Sequence, residues 1–407
     1  MMLKDSCTFV TRPWRPSWPG SGGSGGLSYE TMLVHEIGHA GFGLPDVVTN
    51  GGVMNSVYGQ HAATMHLYPI DSNTAVAQSG YTGHRIGTSQ SLNNGGTWSS
   101  VSTYTLLDSL QPGLDSRVDG SAWPVDMVFN DVSWWEAEVR RGNHGAWTTL
   151  TAPSSAGAGN VYSWVNVAHS DFGEMLAVWT YGCLNTTHCR ISWAWTDSDG
   201  ASWSTGNLAA SYTTFGRPEV AYDRFRDRFV LAWIDGFDAR IRTTSSPAPL
   251  ISWATAITAS PLPEVFRYLG GLVFDSAGTG LLVAARNRTG VSPITSLVQM
   301  SLTRPSSDYV AGPAFIMNST GSNWTLYHAH RHFGLARRRD TGLILAAWPQ
   351  RASPGGGGTM MVATKSSISP SVSFAVPTGA ILSVYSGTDV AFAPSTSSFV
   401  AGLAWGP

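Results

Sequence analysis

From residue 125 onward the chain repeats one phrase: a short apolar run, a polar tip, and a second apolar run that often ends in Ala-Trp. Clear copies are Val165-Asn166-Val167-Ala168 with Met175-Leu176-Ala177-Val178-Trp179, and Glu219-Val220-Ala221-Tyr222-Asp223 with Phe229-Val230-Leu231-Ala232-Trp233. Gly271-Leu272-Val273-Phe274-Asp275 with Leu282-Val283-Ala284-Ala285-Arg286 is another. Phe333-Gly334-Leu335-Ala336 with Leu345-Ala346-Ala347-Trp348, and Asp389-Val390-Ala391-Phe392 with Ala401-Gly402-Leu403-Ala404-Trp405, follow. A weaker copy pairs Val125-Asp126-Met127-Val128-Phe129 with Trp135-Glu136-Ala137-Glu138-Val139. Runs this short, ending at polar tips, predict β-hairpins rather than helices. The strong copies recur roughly every 55 residues, which marks a repeat architecture.

Between the hairpins lies a second element. Ser91-Leu92-Asn93-Asn94-Gly95-Gly96-Thr97-Trp98 fits the pattern S-x-(D/N)-x-G-x-(S/T)-W, and Thr196-Asp197-Ser198-Asp199-Gly200-Ala201-Ser202-Trp203 is a looser copy. Physically this is a tight turn: short polar side chains bond nearby backbone amides, Gly supplies a positive φ, and Trp fills the gap between sheets. Trp147, Trp253 and Phe374 stand where the same plug would fall. These segments resemble the Asp-box of sialidase-like β-propellers, where the motif is structural, so no chemistry is assigned to them.

Six inner hairpins, near residues 125, 165, 218, 271, 333 and 389, are matched by six outer strand pairs. The first outer pair, at about 83–104, has no hairpin before it, and the last hairpin has no outer pair after it. A six-bladed propeller spanning residues 80–407, with one blade built from both chain ends, satisfies both orphans and hides two sheet edges. Seven blades or a β-sandwich array are the alternatives. Residues 61–82 are the expected join to an amino-terminal part, residues 1–70.

Composition fits many short strands: 45 Gly and 17 Trp in 407 residues, with 12% charged. A net charge of −2 and no basic stripe give no case for nucleic acid. The densest basic run, Arg337-Arg338-Arg339, falls at a predicted hairpin tip and reads as a solvated loop rather than a phosphate site. Cys183 and Cys189 bracket a short loop at a spacing that suits a disulfide in an oxidising compartment, with two free thiols as the alternative, and Cys7 is left over. No run reaches the ~18 apolar residues of a membrane helix.

The amino-terminal part carries a different signal, His35-Glu36-Ile37-Gly38-His39-Ala40-Gly41-Phe42-Gly43-Leu44-Pro45-Asp46. On a helix, His35 and His39 share one face and aim two imidazoles at a common point, with Glu36 beside it. The stretch, with Gly51-Gly52-Val53-Met54-Asn55 downstream, resembles the metzincin zinc endopeptidases and their Met-turn. The resemblance implies a Zn²⁺ ion held by His35, His39 and Asp46, Glu36 as general base, and Met54 as the floor of the site. Against the family pattern H-E-x-x-H-x-x-G-x-x-(H or D), glycine and third ligand come one place late, at Gly43 and Asp46 rather than Phe42 and Pro45. His61 and His66 stand as alternative third ligands, and Tyr58 lies just past the Met-turn. In that chemistry the metal lowers the pKa of a bound water and polarises the scissile carbonyl, and the glutamate relays the proton.

The sequence thus predicts a mainly β protein, a six-bladed β-propeller preceded by a short α-helical fragment of a metzincin-type zinc peptidase. The short stretch before His35 holds neither an export signal nor the subdomain that walls the metzincin cleft, so the peptidase part is expected to be incomplete. The expected function is a secreted zinc-dependent endopeptidase with an accessory propeller, a monomer acting on protein or peptide and carrying a glycan or protein ligand on the propeller. The alternative is a noncatalytic carbohydrate- or protein-binding propeller, or a sialidase-like glycoside hydrolase, with a vestigial metal site. Against a sialidase, Arg85-Ile86-Gly87 and Arg217-Pro218 only graze the Arg-Ile-Pro signature, and alternation along the strand assigns Glu219 and Tyr222 to hairpin surface and core.

Overall fold

The computed structural model describes residues 85–405, except 104–108, 117–124, 132–135, 144–145, 150–160, 182–188, 199, 210, 215, 237–239, 249–250, 260–265, 288–294, 306–307, 318–332, 351–357 and 377. The chain divides into two units, Met1–Gly83 and His84–Pro407, and the described residues belong to the second. The metzincin-like motif and Met54 lie outside them.

Described residues are almost wholly strands and turns. β1 (Arg85–Ser91) and β2 (Ser102–Thr103) open the chain. A first sheet holds β3 (Ser109–Asp115), β4 (Val125–Asp131), β5 (Glu136–Asn143) and β6 (Ala146–Thr149). The second holds β7 (Val161–His169), β8 (Met175–Tyr181), β9 (Arg190–Thr196) and β10 (Ser204–Asn207). The third holds β11 (Glu219–Asp223), β12 (Arg228–Ile234), β13 (Ile241–Pro247) and β14 (Ile257–Thr258). The fourth comprises β15 (Phe266–Phe274), β16 (Gly280–Asn287), β17 (Thr295–Thr303) and β18 (Val310–Ala311), with β19 (Phe315–Ile316) also pairing β17. Last come β20 (Gly334–Arg337), β21 (Ile344–Gln350), β22 (Gly358–Lys365), β23 (Thr378–Ala393) and β24 (Ser398–Trp405). These join β1 and β2 in one seven-stranded sheet, ordered β2-β1-β24-β23-β22-β21-β20.

The arrangement is a β-propeller of five blades, counting each hydrogen-bonded sheet as one. The six separate blades expected from the hairpin repeats are corrected for a definite reason. β23 pairs β22 through Thr378–Val384 and β24 through Thr388–Ala393, so two hairpin repeats fuse into one sheet across a register shift. Nor does an α-helix occur among the described residues, so the helical metzincin fragment has no support there; one 3₁₀ turn, Pro394–Thr396, is present. A smaller correction concerns the weak copy at 125–139. Its sheet begins one strand earlier, at β3, whose Ser109-Leu110-Gln111-Pro112-Gly113 has too little apolar character to read as a strand.

The strands form as they do because alternate side chains face opposite neighbours, and both neighbours are apolar. In β12, Phe229, Leu231 and Trp233 pack with Leu176, Val178 and Ile191 of the preceding blade. Val230, Ala232 and Ile234 of the same strand pack with Leu282 and Ala284 of the following one. β21 repeats this, with Ile344, Ala346 and Trp348 on one side and Leu345 and Ala347 on the other. The recurring Ala-Trp ending is thereby explained: Trp179, Trp233 and Trp348 are fully buried wedges between blades.

The Asp-box turns form as their chemistry predicts. Ser91 Oγ accepts Gly95 N–H at 2.9 Å, Asn93 Oδ1 accepts Thr97 N–H at 2.7 Å, and Trp98 Nε1 donates to Gly95 O at 3.1 Å. Thr196 Oγ1 and Ser198 Oγ accept Gly200 N–H and Ser202 N–H in the looser copy. Gly95 and Gly200 take φ of 89° and 85°, as the turn requires. Phe374 is buried, and Trp98, Trp203 and Trp253 are partly buried against the cores.

Innermost strands β3, β7, β11, β15, β20 and β23 contact one another in that order and close back on β3 around an axis. The closing sheet knits both ends of the described chain together, with Arg85 opposite Trp405 and Ser91 opposite Phe399.

Candidate active site

A cavity of about 90 Å³ follows the axis, walled by inner-strand residues. Its polar side chains come from one register of the repeat. Aligning the hairpin phrase places Asn166, Glu219 and Asp389 at the same position of β7, β11 and β23. β3 and β20 have Gly113 and Gly334 there, and the glycines make the room. A Cβ on Gly334 would stand 2.2 Å from Asp389 Oδ1, and one on Gly113 would stand 2.7 Å from Asn166 Cα. Ring closure then brings the three polar groups together with Arg217, which directly precedes β11.

Arg217 sits between the two carboxyl groups. Its Nη2 donates to Asp389 Oδ2 at 2.5 Å, and its Nε lies 3.3 Å from Glu219 Oε1 without the alignment of a hydrogen bond. Asp389 is further held by Leu114 N–H at 2.9 Å and Val390 N–H at 2.8 Å. Asn166 Nδ2 donates to Glu219 Oε2 at 2.8 Å, and Asn166 Oδ1 accepts Val167 N–H. Glu219 Oε1 and Arg217 Nη1 make no hydrogen bond among the described residues. All three charged groups are nearly inaccessible.

One guanidinium does not compensate two buried carboxyls. Burial pushes Glu219 up to about 8, against the lowering pull of Arg217 and with a further raise from Asp389. Burial likewise raises Asp389, although Arg217 and two backbone amides oppose it. Arg217 stays cationic: burial works against its charge, but Asp389 and Glu219 outweigh it. Burial therefore favours the protonated form of Glu219, whose Oε1 makes no hydrogen bond among the described residues.

Toward the hairpin tips the cavity wall changes character. Asp115 Oδ2 accepts His169 N–H at 2.7 Å and Oδ1 accepts Ser116 N–H at 2.8 Å, leaving a partly exposed carboxylate on the wall. Asp171 gathers Arg224 Nε at 2.9 Å and Arg339 Nη1 at 2.5 Å. The solvated-loop reading of Arg337-Arg338-Arg339 is corrected: Arg337 and Arg339 line the cavity, and Arg338 pairs with Asp340 at 2.8 Å and donates to Asn94 Oδ1 at 2.8 Å. Burial lowers Arg337, and the nearby Arg339 and Arg224 lower it further while Asp275 opposes them.

The expected metal site falls elsewhere: His35, Glu36, His39, Asp46, Met54, Tyr58, His61 and His66 all lie outside the described residues. Among the described residues no group of three or more His, Cys, Asp or Glu is placed to hold a metal ion. Glu219, expected at the surface or in the hairpin core, is instead an axial side chain. Tyr222 is half-buried, its hydroxyl donating to Asp227 Oδ1 at 2.7 Å. Cys189 is in a disulfide; its expected partner, Cys183, is outside the described residues. No described helix is long and apolar enough to cross a membrane.

Neither a family model nor a curated protein matches the sequence. Among solved structures, the chain is similar to an α-L-arabinanase of Penicillium chrysogenum complexed with arabinobiose, at 10% identity and a TM-score of 0.50, over 79% of this chain and 98% of that one. An α-L-arabinofuranosidase of Fusarium graminearum, in complex with an iminosugar inhibitor, gives 9% identity and a TM-score of 0.48 over 73% and 93%. An intramolecular trans-sialidase of Ruminococcus gnavus, in complex with oseltamivir carboxylate, gives 7% and 0.49 over 71% and 88%. At such identities the likeness shows the propeller fold alone. The zinc endopeptidase expected from the His35–Asp46 motif is corrected on this finding. The described residues fold as a propeller, as the arabinanase does, and hold no metal-binding group of side chains.

Proposed function

We propose that this protein is a glycoside hydrolase whose reaction takes place in the axial cavity. The observation that carries the reading is Glu219, a carboxylic acid kept protonated near neutral pH by burial, on the wall of a cavity that also holds the carboxylate of Asp115. Glycoside hydrolysis needs such a pair: one acid to protonate the departing glycosidic oxygen, and one carboxylate to act from the other side. In this scheme Glu219 gives its proton to that oxygen as the C–O bond breaks. Asp115 takes a proton from the incoming water as the water oxygen bonds to the anomeric carbon. Arg217 and Asn166 position Glu219 without touching the sugar, and Asp389 holds Arg217. The fold shared with an arabinanase supports a carbohydrate substrate, and arabinose-containing and sialic-acid-containing glycosides are the first to try. The Cys189 disulfide supports a home in an oxidising compartment, outside the cytosol.

The test is release of chromophore from a panel of aryl α-arabinofuranosides and aryl sialosides, and of reducing sugar from arabinans, with chelator present and absent. Chelator-insensitive turnover that Glu219→Gln lowers, by ~10²–10⁴-fold where the substrate is unactivated, is the expected result. Absence of turnover across the panel, or a Glu219→Gln variant as active as the parent, overturns the proposal.

A further inference from the structure

Two inner hairpins end in a ring that their turns do not need. In the tip of β7–β8, Phe172 N–H donates to Ser170 Oγ at 3.1 Å; in the tip of β11–β12, Phe225 N–H donates to Asp223 Oδ1 at 3.1 Å. The tip of β15–β16 makes the same turn with Ala277, whose N–H donates to Asp275 Oδ1 at 2.9 Å. The alanine shows that this turn's hydrogen bond needs no aromatic side chain; at Phe225 the ring also lies under the Arg226 guanidinium, 5.2 Å away. Phe172 and Phe225 are nevertheless 77% and 63% exposed, on adjacent blades. Isolated exposed apolar side chains are common and need no explanation. These two are joined: Asp171, next to Phe172, pairs with Arg224, next to Phe225, at 2.9 Å. Arg339 reaches the same Asp171 from the β20–β21 tip. The two tips that carry the rings are thus tied by an ion pair, and Arg224 and Arg339, both paired with Asp171, also line the cavity.

We propose that this tip face is a saccharide platform, where Phe172 and Phe225 stack on successive parts of an extended glycan chain whose end enters the cavity. The occupant rests on the glycosidase reading, and the surface chemistry agrees with it. A sugar ring offers a C–H face that packs on an aromatic ring, and a rim of hydroxyls suited to the Asp171, Arg224 and Arg339 side chains. Asp171, beside Phe172 and at the centre of the ion pairs, is of a residue type depleted from protein interfaces.

The test uses the full chain in native gels containing soluble arabinan, xylan or galactomannan. Retardation by at least one polysaccharide is expected. The Phe172→Ala/Phe225→Ala variant should weaken it at least tenfold with unchanged melting temperature, and Leu92→Ala, at an exposed apolar side chain that does not line the cavity, should leave it unchanged. No retardation in any gel, or a double variant retarded like the parent, overturns the platform. So does Phe-dependent binding to phosphatidylcholine vesicles without retardation by glycan. Aryl-glycoside turnover, measured separately, keeps the two proposals apart: retardation without turnover leaves the platform standing and sinks the hydrolase, and turnover without retardation does the reverse.

Discussion

Glu219 ties acidity to folding. Its carboxyl has an ordinary value of 4.5 and one of about 8 in the fold, so the folded protein holds the proton more tightly than the unfolded chain does. The fold is therefore penalised as pH rises through the interval from 4.5 to about 8, and the penalty is complete above it. Melting curves at pH 5 and pH 8.5 should show parent stability falling across that span, and Glu219→Gln should flatten the fall. The same proton sets the alkaline limb of turnover, expected to decline above about 8. Loss of a general acid costs a factor of ~10²–10⁴ in rate, the size expected for Glu219→Gln on an unactivated glycoside. Arg217 is the harder residue to remove. Arg217→Met would leave Asp389 without its 2.5 Å partner, and loss of one member of a buried ionic group costs ~3–5 kcal/mol. Chemical denaturation reads that directly; a loss below about 1 kcal/mol would mean the cluster is far wetter than its burial implies.

At the scale of elements, the hairpins were legible because their apolar runs obey strand alternation and face an apolar neighbour on both sides. Trp233 shows the energetic side: Trp233→Ala should cost ~3–5 kcal/mol in denaturant unfolding, since its cavity would open between two blades. The Asp-box turns were legible for a different reason, since a local hydrogen-bond pattern dictates local residue types. β3 was not, because its apolar content is too low and its place is set by β4 and β7. The axial site was hidden in the same way. Three of the six inner strands each contribute one polar residue inside an apolar phrase, and nothing local says that Asn166, Glu219 and Asp389 will meet. A register of Gly and polar residues across aligned repeats carries that information, and Gly334 tests it. Gly334→Ala should destabilise by ~1–3 kcal/mol and disturb turnover, because its methyl would strike Asp389 and its backbone.

For the molecule as a whole, the repeat count misled in one respect, and the cause is β23. Counting hairpins assumes that pairing stops between units, whereas here one strand serves both. The amino-terminal motif misled about activity because H-E-x-x-H asks only for local spacing, while function depends on the site the whole fold builds. Ring closure has its own test. Proline at Ser89, in the middle of β1 opposite Ala401, removes an amide from the closing sheet and should lower the melting temperature by several degrees. β1 also has reach beyond closure. Thr88 lies opposite Gly402, and Gly402 lies opposite Asp389, so one row of the sheet runs from the first described strand to the anchor of Arg217. Closure of the ring and the buried ion pair therefore share one cross-strand row, with a single residue, Gly402, between Thr88 and Asp389.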